Sequence, residues 1–321
     1  NLSATGCRPK LNGSLLAKPR AKFVTFGVGL ALAACVILWR PTPANGPSTP
    51  LWLTEWHGDG TGFGGMSGLD MVDHGQGFWT ISDHGYLFRA DLKRDSNGHI
   101  STIDSPTKYQ FQDSFGRPVS GFQSDTEAVR QEADGSILVA FEGLARVARF
   151  HPPDMSPQML HIWDRFRALW GNQGMEALVI DAKGHIMTVL ERPVVGKVYR
   201  TLVYLGGDDW HDGPKLISDG RFMATDADFG PDGRLYVLER RFSFVWGYTT
   251  RISAYSALGN GPDAGFSPPE IILQTNPGAY SDFEGLSLWQ DAKGRIIATL
   301  ISDNNFLPFS PTTIAEFVVA N

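Results

Sequence analysis

No cysteine occurs after Cys35, and only Cys7 precedes it. From residue 36 onward the chain therefore has no disulfide, no thiolate-held metal and no thiol nucleophile. None of the eight histidines forms an H-x3-H or H-E-x-x-H pair, which removes the usual helical zinc-hydrolase motif. A G-x-S-x-G elbow is also missing. Gly65-Met-Ser67-Gly-Leu lacks the last glycine, and Ser67 reads as a turn residue rather than a nucleophile. There is no G-x-x-x-x-G-K-[ST] phosphate loop, and the Gly-rich run from Gly58 to Gly68 has no helix after it. Beyond residue 40 an amphipathic helical pattern is absent except around Trp163 to Trp170, which argues against a parallel α/β fold.

Basic residues are scarce where acids are plentiful. Residues 51–321 hold 22 Lys and Arg against 34 Asp and Glu, and no basic patch is interleaved with aromatics. Such a domain repels nucleic acid and suits a cation. Residues 1–50 are the reverse, with Arg8, Lys10, Lys18, Arg20, Lys22 and Arg40 and no acid. Within them Phe23 to Trp39 is an apolar run that as a helix would span about 26 Å. Basic residues before it predict a membrane-targeting helix with the domain exported. Three forms are open: cleavage after Thr42-Pro-Ala44, an uncleaved anchor, or a lipoprotein at Leu32-Ala-Ala-Cys35. The expected organisation is a signal or anchor segment at 1–40, a Pro-rich linker at 41–50 and one domain at 51–321. The domain would lie in the periplasm or be held on the inner membrane facing it, touching the membrane only through residues 1–40. Nothing in the sequence fixes an oligomeric state.

Within 51–321 one grammar recurs. An acidic or hydroxyl residue opens a short apolar strand, a Gly-containing turn follows, and a second apolar strand ends on an acid. The copies run Met66-Ser67 to Ser82-Asp83, Asp125-Thr-Glu127 to Phe141-Glu142, Met175-Glu176 to Leu190-Glu191, Thr225-Asp226-Ala-Asp228 to Leu238-Glu239, and Phe283-Glu284 to Ser302-Asp303. The openers Ser67, Glu127, Glu176, Asp228 and Glu284 are 60, 49, 52 and 56 residues apart. That period, with about four strands in each, predicts an all-β chain folded as a five-bladed β-propeller. The last repeat supplies three strands, so Leu51 to Trp56 is expected to complete it and close the ring. A sixth blade drawn from the long connections 91–124 or 240–280 is the alternative.

Repeat-equivalent residues become neighbours around an axis. Glu127, Glu176, Asp228 and Glu284, with Asp70 offsetting the uncharged Ser67, are therefore expected at one mouth as ligands of a metal. Clustered carboxylates cost on the order of several kcal/mol unless a cation or ion pairs neutralise them. An oxygen-only set favours Ca²⁺. Of the closing acids Asp83, Glu142, Glu191, Glu239 and Asp303, Glu142 and Glu191 are the candidate general bases. Arg192 and Arg240, beside closing acids, suit an anionic group. His84 and Arg241 stand in similar places, and Asn304 and Asn305 either add ligand oxygens or form a turn.

Several segments also carry a family likeness: Gly64-Gly-Met-Ser-Gly-Leu-Asp70, Trp79-Thr-Ile-Ser-Asp83, Asn172-Gln-Gly-Met-Glu176, Ala227 to Arg240, Phe283-Glu-Gly-Leu and Ile301-Ser-Asp-Asn-Asn-Phe306. Over about residues 50–320 the chain resembles the family called esterase-like activity of phytase. The resemblance implies a bacterial exported protein with a propeller-like domain that hydrolyses phosphoesters or esters. The R-H-G-x-R-x-P motif of histidine phosphatases is missing. So is the D-A-D-D-P run of calcium-dependent propeller phytases, of which Asp226-Ala-Asp228-Phe is a partial echo, so phytate is not implied. An acidic ring closed by Ca²⁺ is also similar to gluconolactonase and paraoxonase propellers, which act on lactones and esters. The expected activity is hydrolysis of a small anionic or ester substrate. The alternative is a binding module that holds a structural cation and recognises an envelope ligand or partner without chemistry.

Overall fold

The structure, a computed structural model, describes residues 46, 49–58, 60, 62–161, 166–169, 174–192, 197–261, 264–307 and 310–321. The targeting segment expected at 1–40 and most of the linker at 41–50 lie outside these. Among the described residues no helix is long and apolar enough to cross a membrane.

Five antiparallel sheets form five blades. Blade I contains Met66–Val72, Gly77–Ser82 and Tyr86–Arg94. The last of these is long enough to pair with two outer strands, Ile100–Ile103 and Thr107–Gln110. Blade II contains Thr126–Gln131, Ile137–Phe141, Arg146–His151 and Asp154–Met159. Blade III contains Met175–Ile180, Ile186–Leu190, Thr201–Gly206 and Asp209–Asp212. Blade IV contains Met223–Phe229, Leu235–Ser243, Gly247–Tyr255 and Glu270–Gln274. Blade V contains Asp282–Gln290, Ile296–Asp303 and Thr312–Ala320, and its outer strand is Trp52–Trp56, taken from the other end of the domain. Trp52 pairs with Glu316 and Trp56 with Thr312, so the ring closes through the sheet itself. Both long connections add strands to blades I and IV. Among the described residues there is no sixth blade.

The apolar runs of the second strands follow from their position. A strand between two neighbouring blades buries both faces, so alternation gives way to a continuous apolar run. In Ile137-Leu-Val-Ala-Phe141, Ile137, Val139 and Phe141 pack with Ile81 and Leu87 of blade I, while Leu138 and Ala140 pack with Leu178 and Leu190 of blade III. The same division repeats around the ring, giving one core cluster for each pair of adjacent blades. The five first strands line the axis, each beside the first strands of its two neighbours.

Candidate functional site at the channel mouth

Every axial strand breaks register near its start. One residue bulges out against the end of the second strand, between Met66 and Gly68, Thr126 and Ala128, Met175 and Ala177, Ala224 and Asp226, and Phe283 and Gly285. A bulge leaves its extra residue unpaired and re-aims its side chain. The repeat-equivalent openers are thus Ser67, Glu127, Glu176, Thr225 and Glu284. This corrects blade IV, where the opener is Thr225 and Asp228 lies three residues further along the strand. The expectation failed because Thr225-Asp226-Ala-Asp228 offers three polar residues and only the ladder decides which one bulges.

The closing positions shift by the same logic. Asp83, Glu142, Glu191 and Asp303 follow the residues that pair just before the bulge, and their blade IV equivalent is Arg240. Glu239 sits one residue earlier and is fully buried. It accepts hydrogen bonds from Arg251 Nε and Nη2 and from Tyr199 Oη, all at 2.7 Å, and from Ser253 Oγ. It belongs to the core of blade IV.

The three acidic openers and the five closers meet in one cleft of about 390 Å³, lined by Asp83, Glu127, Glu142, Glu176, Glu191, Glu284 and Asp303 and by Arg192, Arg240 and Met223. Seven carboxylates thus face two guanidiniums. Burial, then the charges of Glu176, Asp83, Glu284 and Asp125, hold the Glu127 carboxyl well above the usual range. Burial, then Glu191 and Glu142, do the same to Glu176. Burial with Asp303 and Asp125 nearby pushes Asp83 to about 8. Asp125, Glu142 and Asp303 are also raised, burial again being the main cause.

The excess is not uniform around the axis. On the blade II side, ligand oxygens of Asp125, Glu127 and Glu142 lie within 4.8 Å of one another. Gly174 makes room there, since a Cβ on it would sit 2.4 Å from Glu142 Cγ. On the blade IV side Arg240 donates to Asp282 Oδ2 at 2.8 Å and to Glu284 Oε1. Burial opposes the Arg240 charge, but Glu284, Asp282 and Glu176 keep it firmly protonated. Arg192 is held at Nε by Glu191 Oε2 at 2.9 Å and leaves 61% of its side chain exposed.

Below the mouth the channel is plugged. Gly68 and Gly285 let the axial strands approach, since a Cβ on Gly285 would lie 2.9 Å from the Gly68 carbonyl carbon. Into this waist Arg130 of blade II donates to Asp226 Oδ1 at 2.9 Å and to the carbonyls of Leu69, Leu286 and Ala227. Asp226 also accepts Leu286 N, Asp228 accepts Leu288 N and Asp70 accepts Gln131 N. Asp70 and Asp228, expected as metal ligands at the mouth, therefore stand around Arg130 in the plug. One guanidinium faces three carboxylates. Burial pushes Asp70 to about 7 and Asp226 to about 8 against the pull of Arg130, so the plug retains protons near neutrality.

Four residues of the site were missed in the sequence. Asp125 and Asp282 stand two residues before an opener, and Arg130 is the one basic residue in the five axial strands. Asp226 is next to the true opener. Ser67 donates to Thr126 O at 2.5 Å, so its hydroxyl is engaged. Asn304 Oδ1 accepts Gly65 N and Phe306 N, which makes it a turn residue, and His84 stacks on Phe306.

Fit to a hard cation can be judged from the donors alone. The Asp125, Glu127 and Glu142 set is all oxygen and half-buried, and burial, then neighbouring carboxylates, raises the Glu127 and Glu142 carboxyls above their usual range. That is the donor chemistry Ca²⁺ takes.

The fold and mouth define a five-bladed β-propeller with a carboxylate-rich channel entrance. The chain belongs to the phytase-like family, described as esterase-like activity of phytase, which matches residues 61–306. No curated protein matches the chain at significant similarity. Among solved structures the chain is similar to the PQQ-bound aldose sugar dehydrogenase of Streptomyces coelicolor, with 11% identity, a TM-score of 0.43 and coverage of 85% of this chain and 99% of that one. It is also similar to virginiamycin B lyase of Staphylococcus aureus, with 12% identity, a TM-score of 0.41 and coverage of 83% and 88%. A third likeness is to a Trichoderma reesei carbohydrate-active enzyme of family AA12, with 13% identity, a TM-score of 0.42 and coverage of 77% and 79%.

Proposed function

We propose that the chain is an exported, Ca²⁺-dependent hydrolase of phosphoesters or small esters and lactones, working at the channel mouth. The carrying observation is the polarity of one cleft: a crowded oxygen triad on the blade II side and two arginines beside it. Asp125, Glu127 and Glu142 would hold the cation, with Glu176 next to them. Bound there, Ca²⁺ would polarise a P=O or C=O group and ease ionisation of a water.

The protein groups do the rest. Arg192, largely exposed, receives the anionic part of the substrate. Arg240 is engaged by Asp282 and Glu284 and sets the charge of that wall. With Glu142 committed to the triad, Glu191 is the carboxylate left to take a proton from the attacking water. Because basic residues precede the apolar run Phe23 to Trp39, the domain is proposed to lie outside the cytoplasmic membrane, and a fusion of residues 1–50 to a reporter active only after export should be active.

A panel of chromogenic phosphate esters, acyl esters and lactones, with Ca²⁺ or with EDTA, tests the activity against a Glu127→Gln control. Ca²⁺-dependent turnover lost in the control is expected. Thermal stabilisation by Ca²⁺ with no turnover on any ester would instead support the non-catalytic binding module. Absence of both would remove the cation reading.

A further inference from the structure

The second and third strands of blade IV run past the sheet as a hairpin, pairing Arg240 with Thr250, Phe242 with Tyr248 and Ser243 with Gly247. Phe242 is 52% exposed, Phe244 97% and Val245 68%. Scattered exposed apolar residues are common, but a contiguous set on one projection marks a contact site.

The hairpin is also braced. Ser243 Oγ accepts Val245 N and Trp246 N, and Gly278 N donates to Tyr248 O at 2.7 Å. A Cβ on Gly278 would lie 2.6 Å from Trp246 O, so the neighbouring loop abuts the tip. Ring contacts continue the order, Phe242 with Tyr248 at 4.9 Å and Phe244 edge-on to Phe242 at 6.1 Å. The fold thus holds the Phe244 ring and about half of the Phe242 side chain in water.

Strand alternation says where these rings face. Residues 240 and 242 share a face and 241 takes the other. Arg240 reaches Glu284 at the mouth, while Arg241 lies over Phe222. Phe242 and its cross-strand partner Tyr248 therefore continue the wall that begins with Arg240, leading from the acidic cleft to the aromatic tip. Tyr248 also faces Asp282, the carboxylate bound by Arg240.

We infer that this hairpin is the specificity element of the site, with Phe242, Phe244 and Tyr248 receiving an aromatic ring carried by the substrate ester while its anionic group sits in the mouth. The inference rests on the proposed hydrolytic site and names its substrate class as aryl esters and aryl phosphoesters. Stacked or edge-on ring pairs gain more than buried area alone gives.

Titration calorimetry of the full chain with Ca²⁺, using phenylphosphonate and methylphosphonate as non-hydrolysable probes, reads this directly. Phenylphosphonate should bind about tenfold more tightly. In the Phe242→Ala and Phe244→Ala double variant that preference should vanish while methylphosphonate binding is kept. Both substitutions are at exposed positions, and a thermal melt checks that the variant is folded. Equal binding of the two probes to the unaltered protein would overturn the aromatic subsite and leave the anion site standing. Binding of neither would overturn the proposed site, and the subsite with it. If instead the double variant loses co-sedimentation with phosphatidylcholine and phosphatidylglycerol vesicles while probe binding is unchanged, the hairpin docks on lipid and the inference is wrong.

Discussion

In blade II the bulged residue is Glu127 and the residue closing the second strand is Glu142, while in blade IV the same two positions hold Thr225 and Arg240. Three residues further in, the signs cross over: blade II supplies Arg130 and blade IV supplies Asp228, with Asp226 beside it. The backbone repeats and the charge does not. A symmetric ring with equal acids would surround a cation evenly and leave no side for an anionic substrate. Exchanging charge between two blades gives the mouth a carboxylate-rich side and a side that carries Arg240, the asymmetry on which the proposed function rests, and it ties the two blades together across the axis by an ion pair at the waist.

The largest effect is expected at the waist. Arg130→Met would leave Asp226, Asp228 and Asp70 without their cation, a loss of roughly 3–5 kcal/mol or more. The expected outcome is little folded protein, read by urea unfolding or by soluble yield. Adding Asp226→Asn should restore part of it. A stable Arg130→Met single variant would show that the blades do not need the crossed pair.

Next is Arg240→Glu, which makes blade IV resemble blade II at the mouth. Asp282 and Glu284 lose their partner and gain a like charge, so about 3 kcal/mol should be lost at neutral pH. The loss should shrink at acid pH as these carboxyls take up protons. Urea unfolding at two pH values checks both statements. Equal destabilisation at both would mean that the packing of Arg240 matters more than its charge.

Glu127→Gln sharpens the comparison from the other side. It removes one oxygen charge from the blade II triad and leaves blade IV intact. Ca²⁺-dependent kcat/KM should fall by about 100-fold or more, and the Ca²⁺-induced rise in Tm should fall with it. Thr225→Ala, at the equivalent position of blade IV, should leave the Ca²⁺ rise in place.

Much of this was legible from residues alone. The hairpin turns, the apolar second strands and the spare strand at Leu51 to Trp56 follow from local pattern and from counting, so blade number and closure could be read. Glu127, Glu176 and Glu284 were legible because each stands directly before a small residue, Ala128, Ala177 or Gly285, at the head of its axial strand. Blade IV was not, because Asp226-Ala-Asp228 presents two acids with strand parity and the bulge is a property of the ladder, not of the residue. The Arg130 plug was hidden for a similar reason. Its partners lie 96 residues away in sequence, in Asp226, and nothing local announces that a charged residue in an apolar strand points across the axis.

The smallest effect is a slope with pH, and its sign follows from the raised carboxyls. Glu127, Glu176 and Glu284 lie well above their usual range and Asp83 lies at about 8, chiefly through burial. Between the unfolded carboxyl range near pH 4 and the folded value near 8, the folded chain binds more protons than the unfolded one. Stability contributed by those protons is present at acid pH and is lost as pH rises. In EDTA, Tm should therefore fall from pH 5 to pH 8, by about 2–4 °C for each kcal/mol lost. Ca²⁺ competes with protons for the same oxygens, so the Tm gained on adding it should grow over that range. The waist acids Asp70 and Asp226 also titrate near neutrality but lie around Arg130, away from the triad, so Ca²⁺ should leave their part of the slope untouched. A Glu127→Gln and Glu142→Gln double variant should accordingly flatten the EDTA slope only in part. A Ca²⁺ increment that is constant from pH 5 to pH 8 would place the cation somewhere other than the crowded side of the mouth.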